Sequence, residues 1–157
     1  ILMSTPVSIP FLYLGKLTLI LYITLVTQTW VGVLYIIAGK FAGLPGLCPP
    51  DVIFWLLRGT VSAIAIGALQ LLLSMVIRSF SVPIGIALIG SVAGMLISNA
   101  GLGLCWPYSL MLMGMNSNKS TDSLAGSTAL LAGAAVIFFL IFYLAAVRIL
   151  STKDVRT

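Results

Sequence analysis

Residues 17–39 read LTLILYITLVTQTWVGVLYIIAG, an uncharged stretch bounded by Lys16 and Lys40. A helix needs about 20 mostly apolar residues to cross the hydrocarbon core of a bilayer, roughly 30 Å thick. This stretch is long enough, and its polar members are Thr and Gln rather than ionised groups. The rest of the chain has the same character. Of its 157 residues 61% are hydrophobic and 7% are charged, and the mean hydropathy is +1.21. Soluble domains keep about a quarter of their residues charged, so a surface made from this composition belongs in lipid. The fold class expected is all-α, a single polytopic transmembrane helical bundle.

The eleven charged positions divide the remaining sequence into three further spans. The second covers 52–77, with Arg58 near its start and Arg78 closing it. The third covers 83–104, where Pro83 sits in the first turn, a place in which its missing N–H removes no helix bond. The fourth covers 124–147 and is closed by Arg148. Four crossings put both ends on one face. That face receives Lys16, Arg78, Arg148, Lys153 and Arg156, against Lys40, Arg58 and Lys119 on the other, so the positive-inside bias places both ends in the cytoplasm of a multi-pass cell-membrane protein. Trp30, Trp55, Trp106 and Tyr108 fall toward the outer ends of their segments, as interfacial aromatics do. The net charge of +5 is then a matter of topology and lipid contact, and nothing interleaves aromatic with basic residues as nucleic-acid binding would require. Because the chain opens on Ile1 and carries no leader-like segment, it is expected to begin within a longer reading frame.

Two outer connections follow from this layout. Residues 43–51 (GLPGLCPPD) form a short turn rich in Pro and Gly. Residues 105–122 begin with Trp106-Pro107-Tyr108, continue through the apolar 110–115 and end in the polar NSNKSTD, which reads as a re-entrant or interface-lying piece.

The residue inventory restricts the chemistry. The chain has no His and no Glu, and its acids are Asp51, Asp122 and Asp154, all at expected membrane edges. Axial haem ligation by His and proton coupling through an intramembrane carboxylate or His both lack their residues. Two Cys do not build a structural zinc site, and hydrolytic pairs that depend on His cannot form. No catalytic residue, cofactor or metal is expected. The stretch 114–120 (GMNSNKS) resembles a phosphate-binding loop only faintly, since Asn118 stands where Gly must precede the Lys.

Several residues carry two readings. Arg58 is either a pore or ligand charge within a span, or an interfacial cation that snorkels beside Trp55 and meets Asp51 two turns back. Cys48 and Cys105 share the outer side, as a disulfide or as two separate thiols. Met75, Met95, Met111, Met113 and Met115 offer a soft surface for a greasy cargo or, more commonly, helix packing. Gly90, Gly94 and Ser98 lie four apart on one face of the third span, and Ala125, Ala129 and Gly133 repeat this on the fourth; both stripes are candidates for close helix–helix contact.

The order of segments resembles a family. Thr5-Pro6-Val7-Ser8 leads to Tyr13-Leu14-Gly15-Lys16, and Gln70-Leu-Leu-Leu-Ser74 is followed by Arg78-Ser79-Phe80. After these come a Gly-rich span over 83–103, Trp106-Pro107-Tyr108-Ser109 and a last span closed by Arg148. Together they resemble the C-terminal two-thirds of a type-2 ATP-binding-cassette exporter permease, similar to the lantibiotic-immunity permease subunits, although Ile9 stands where a basic residue is common after Pro-x-Ser. The resemblance implies six spans in the complete subunit, with ATPase subunits and a second permease subunit, identical or homologous, as partners. It also implies an antimicrobial peptide or a lipid-like molecule as cargo, and a third span near the seam between permeases. A cofactor-free anchoring subunit of a membrane complex and a small four-span carrier are the alternative classes.

Overall fold

The computed structural model describes residues 9–43, 46, 50–116, 124 and 127–154. Among them all regular structure is helical, in the order α1 (Ile9–Phe41), α2 (Pro50–Val76), α3 (Ser81–Asn99), a 3-10 turn (Gly103–Cys105), α4 (Ser109–Gly114) and α5 (Thr128–Asp154). Helices α1, α2, α3 and α5 are each long and apolar enough to cross a membrane. The chain is a multi-pass membrane protein with an all-α helical bundle. Its outward surface fits that environment: Tyr22, Trp30, Leu88, Ile89, Leu96, Leu130 and Ile137 are among many large apolar side chains left more than half exposed. So much apolar area facing outward is tolerable only against lipid tails.

The threonine hydroxyls of α1 are settled inside the helix. Thr18, Thr24, Thr27 and Thr29 each donate a hydroxyl hydrogen bond of 2.8–2.9 Å to the carbonyl four residues earlier. A hydroxyl bonded this way does not need water, so α1 keeps four Thr without presenting an unpaired donor to hydrocarbon. At 33 residues α1 is about 50 Å long, more than the bilayer core is thick, a mismatch that helices absorb by tilting.

Helix α2 is the centre of the bundle and touches every other helix. Small residues let α5 come close to it, with Ala65 and Ala68 of α2 and Ala135 and Ala146 of α5 almost wholly buried. Two apolar clusters result. The one nearer Arg78 gathers Tyr13, Leu17, Ala68, Leu71, Leu72 and Ala146, with Tyr143 packed edge-on to Tyr13 at 5.7 Å between ring centroids. Tyr13 donates a 2.7 Å hydrogen bond to the Ala68 carbonyl, which allows its hydroxyl to be buried there. The other cluster joins Ala65, Leu110, Leu124, Leu131 and Ala135. Gly32 and Gly67 serve the α1–α2 contact, where an added Cβ would come within 2.9 Å of Leu56 and 3.1 Å of Ile20.

Helix limits differ from the expected spans for reasons that hydropathy does not register. The third span, expected over 83–104, ends as a helix at Asn99. Gly101 adopts φ +82°, the Gly101 amide bonds the Ser98 carbonyl and the Leu102 amide bonds the Ile97 carbonyl. This Schellman arrangement closes the helix although apolar residues continue beyond it. Conversely, α1 begins at Ile9 and runs through Lys16, and α5 runs through Arg148 to Asp154. A charge limits what lies comfortably in lipid; it does not stop a helix.

Candidate functional site

After the Schellman turn the chain folds back alongside α3. Trp106 is extended, and its indole Nε1 donates a 2.9 Å hydrogen bond to the Gly90 carbonyl. Gly90 lies nine residues before the end of α3, a descent of about 13 Å. The Tyr108 ring lies over the same glycine, where an added Cβ would sit 2.6 Å from two ring carbons. Its hydroxyl accepts a 2.7 Å hydrogen bond from Gln70 Nε2 of α2. One side chain thus ties α3 to α2.

From Tyr108 the chain climbs back as α4. Ser109 Oγ lies within bonding range of the Gly103 carbonyl and 2.8 Å from the Trp106 carbonyl, closing the turn from inside. Ser62 Oγ of α2 sits 3.0 Å from the Leu110 carbonyl and 2.9 Å from the Arg58 carbonyl. At the top, Gly114 packs against α2 so closely that a Cβ would be 3.0 Å from the Arg58 backbone. Asn116, at φ 48°, ends the ascent in the left-handed region that Asn tolerates better than most residues. Ser109 and Leu110 are fully buried. The result is a V of non-spanning chain set between α2 and α3, several of its backbone groups bonded by neighbouring serines and by its own turns. Irregular backbone at membrane depth is stable only in such surroundings.

The Gly90, Gly94 and Ser98 stripe forms one wall of this seat. At Gly94 an added Cβ would lie 3.1 Å from the Ser109 amide nitrogen and 3.2 Å from the Trp106 ring. The stripe is therefore filled by the chain's own 103–114 segment, where the family resemblance implies a neighbouring permease. Ser98 is buried, and its Oγ has no hydrogen-bond partner among the described residues; its small size admits Gly103, which passes next to its Cα.

Arg58 lies at the upper rim, partly exposed, with Nη2 donating a 2.8 Å hydrogen bond to Thr128 Oγ1 at the start of α5. Arg58 lies eighteen residues before the end of α2 at Val76, about 27 Å along the axis, close to the hydrocarbon thickness, which puts Arg58 at one interface and Arg78, just past the helix end, near the other. Gln28 of α1 is buried beside it, its Nε2 3.7 Å from Met115 Sδ.

The fourth-span stripe is not an internal contact. Ala129 and Gly133 face outward, and nothing lies within 4 Å of a Cβ added at Gly133. The buried face of α5 is instead Leu131, Ala135 and Ala146. Ala125 lies outside the described residues, as does Cys48. Cys105 is exposed and its thiol is free. Met75 and Met113 pack against the two apolar clusters, while Met95 faces outward. Sequence reasoning missed Gln28, Gln70 and Ser62 as anchors, although lone amides and hydroxyls within apolar spans are where such bonds are to be sought. Among the described residues no group of His, Cys, Asp or Glu could hold a metal ion. The arrangement has hydrogen-bonding and shape-filling capacity, with no acid, base or nucleophile set against another. No protein-family model, curated protein or solved structure matches the chain.

Proposed function

We propose that this chain is the membrane-spanning permease subunit of an ATP-driven exporter, working with separate ATPase subunits and a second permease subunit. The observation that carries this reading is the V-shaped segment 103–116 seated between α2 and α3. Non-helical backbone at membrane depth occurs where it is enclosed by protein or borders a path through the membrane. A chain serving only as an anchor gains nothing from the polar contacts needed to hold such a segment. In the proposed role the segment closes the end of the bundle near Arg58 and moves with α3 when cargo passes. Energy comes from a partner, because the sequence has no phosphate loop and its three acids lie outside the uncharged spans. An amphipathic cationic peptide or a lipid-like molecule is the proposed cargo class, moving along the apolar outer faces of the helices.

The test is isolation of the chain from its native membrane with its partners, followed by reconstitution into vesicles. Cargo release is compared with ATP, without ATP and with an ion gradient. ATP-dependent release together with a co-purified ATPase supports the proposal. Release driven by the gradient alone, or co-purification with redox subunits and no ATPase, overturns it.

A further inference from the structure

A cleft of about 410 Å³ opens between α1, the last turns of α2 and the first turn of α3. Its lining is mixed: Ile20, Leu71 and Ile84 are among its apolar residues, and Gln70, Ser74, Arg78 and Ser79 are its polar ones. Arg78 is exposed, and its guanidinium makes no hydrogen bond or ion pair with a described residue. The α3 N-terminus lies beside it, with no side-chain cap from Phe80, so the first amides of that helix lack a side-chain acceptor. Helix α2 ends at the same elbow and its terminal carbonyls repel an anion. The cation at 78 is what turns the cleft toward negative charge.

We propose that this cleft seats one anionic phospholipid, with the headgroup phosphate at Arg78 and the first turn of α3 and an acyl chain along Ile20, Leu71 and Ile84. Charge complementarity selects the headgroup, and position selects a lipid over a free anion. Arg78 follows the end of α2 at Val76 by two residues, about 27 Å along the axis from Arg58, at the opposite face of the hydrocarbon layer, where headgroups lie. A free phosphate ion would use the polar residues and leave the apolar lining of the cleft uncovered. Anionic lipids are drawn to basic residues at such an edge. This proposal does not depend on the exporter reading, since an anchor or a carrier with the same elbow would hold the same lipid.

The experiment uses the full chain, purified in a neutral detergent and delipidated. It is titrated with phosphatidylcholine, with phosphatidylglycerol and with inorganic phosphate. Native mass spectrometry counts retained lipid, and the thermal midpoint reports stabilisation. Wild type is expected to retain one phosphatidylglycerol in preference to phosphatidylcholine, with no stabilisation by inorganic phosphate. R78Q is expected to weaken phosphatidylglycerol retention about fivefold, as for loss of one basic contact at an anionic surface, and R78K to restore most of it. R148Q removes a charge from the same end of the bundle but not from the cleft, and is expected to leave retention unchanged. An unaltered midpoint of R78Q in phosphatidylcholine shows that its fold is intact. Equal retention of the two lipids by wild type overturns the proposal. So does a loss in R148Q as large as that in R78Q, which means diffuse attraction, or stabilisation by inorganic phosphate equal to that by the lipid, which means an anion site without a lipid.

Discussion

The hydroxyl of Tyr108 and the side-chain amide of Gln70 meet at 2.7 Å across the gap between the V-shaped segment and α2. Thirty-eight residues separate them in sequence, so this bond fixes how far the segment descends. Exchanging Tyr108→Phe or Gln70→Leu alone is expected to destabilise the bundle by about 1 kcal/mol, and the double mutant cycle to show a coupling of about 0.6–1.7 kcal/mol, the range of polar pairs within membranes. Detergent unfolding followed by circular dichroism measures all four proteins. Strictly additive losses would mean that the two groups act separately.

Gly90 and Gly94 are expected to resist enlargement, while Gly133 is not. Gly90→Ala places a methyl 2.6 Å from the Tyr108 ring, and the Gln70 bond hinders the ring from moving away. Overpacking of this kind costs about 1–3 kcal/mol, against a helix-propensity gain of about 1 kcal/mol for Gly to Ala. Net destabilisation is expected at Gly90, partly relieved by Tyr108→Ala in the same chain. Gly133→Ala meets nothing within 4 Å, so only the propensity gain remains. Equal behaviour of the two alanine variants in unfolding would contradict this packing.

Ser98→Ala is expected to be neutral or to stabilise slightly. The Ser98 hydroxyl oxygen is buried without a hydrogen-bond partner among the described residues, and leaving such a group unsatisfied costs about 1–3 kcal/mol relative to an apolar replacement of similar shape. Unfolding of the single variant is the measurement. A loss above about 1 kcal/mol would reveal a bond made by that hydroxyl.

The orientation is tested with Ser117→Cys and Thr152→Cys, each in a chain lacking Cys48 and Cys105. An impermeant maleimide applied to intact cells is expected to label the first and spare the second, following the positive-inside bias. The opposite pattern rejects the arrangement with both ends in the cytoplasm.

The four long helices were legible because ionised groups are so few that their gaps outline the spans. Helix ends were less legible, since Gly101 stops α3 by its backbone conformation within an apolar run, whereas Lys16 and Arg148 mark charge without ending a helix. Small-residue spacing singles out the face of α3 that carries Gly90 and Gly94, but spacing does not name the occupant, and the residues that fill it lie further along the same chain. On α5 the same signal marks Ala129 and Gly133, which face outward, away from the helices of this chain. Ala and Gly recur at 129, 132, 133, 134 and 135, so several stripes compete, and the shape of α2 decides among them. The Gln70–Tyr108 bond had no local signature, because its two halves belong to separate segments with no shared pattern.

The way α3 is seated has a consequence for biosynthesis. Helix α3 meets the bundle mainly through α4 and the 3-10 turn, and adjoins α2 less extensively. A chain emerging from the ribosome delivers α1 and α2 first, and their Gly32 and Gly67 contacts are available at once. When α3 emerges, the residues that fill its groove have not yet been made. It must wait in lipid, joined to α2 by the four-residue elbow 77–80, until Trp106, Tyr108 and Ser109 are synthesised behind it. The third helix is thus inserted before it can be docked. A pause in translation between residues 99 and 114 prolongs the interval in which its glycine face is open to other helices.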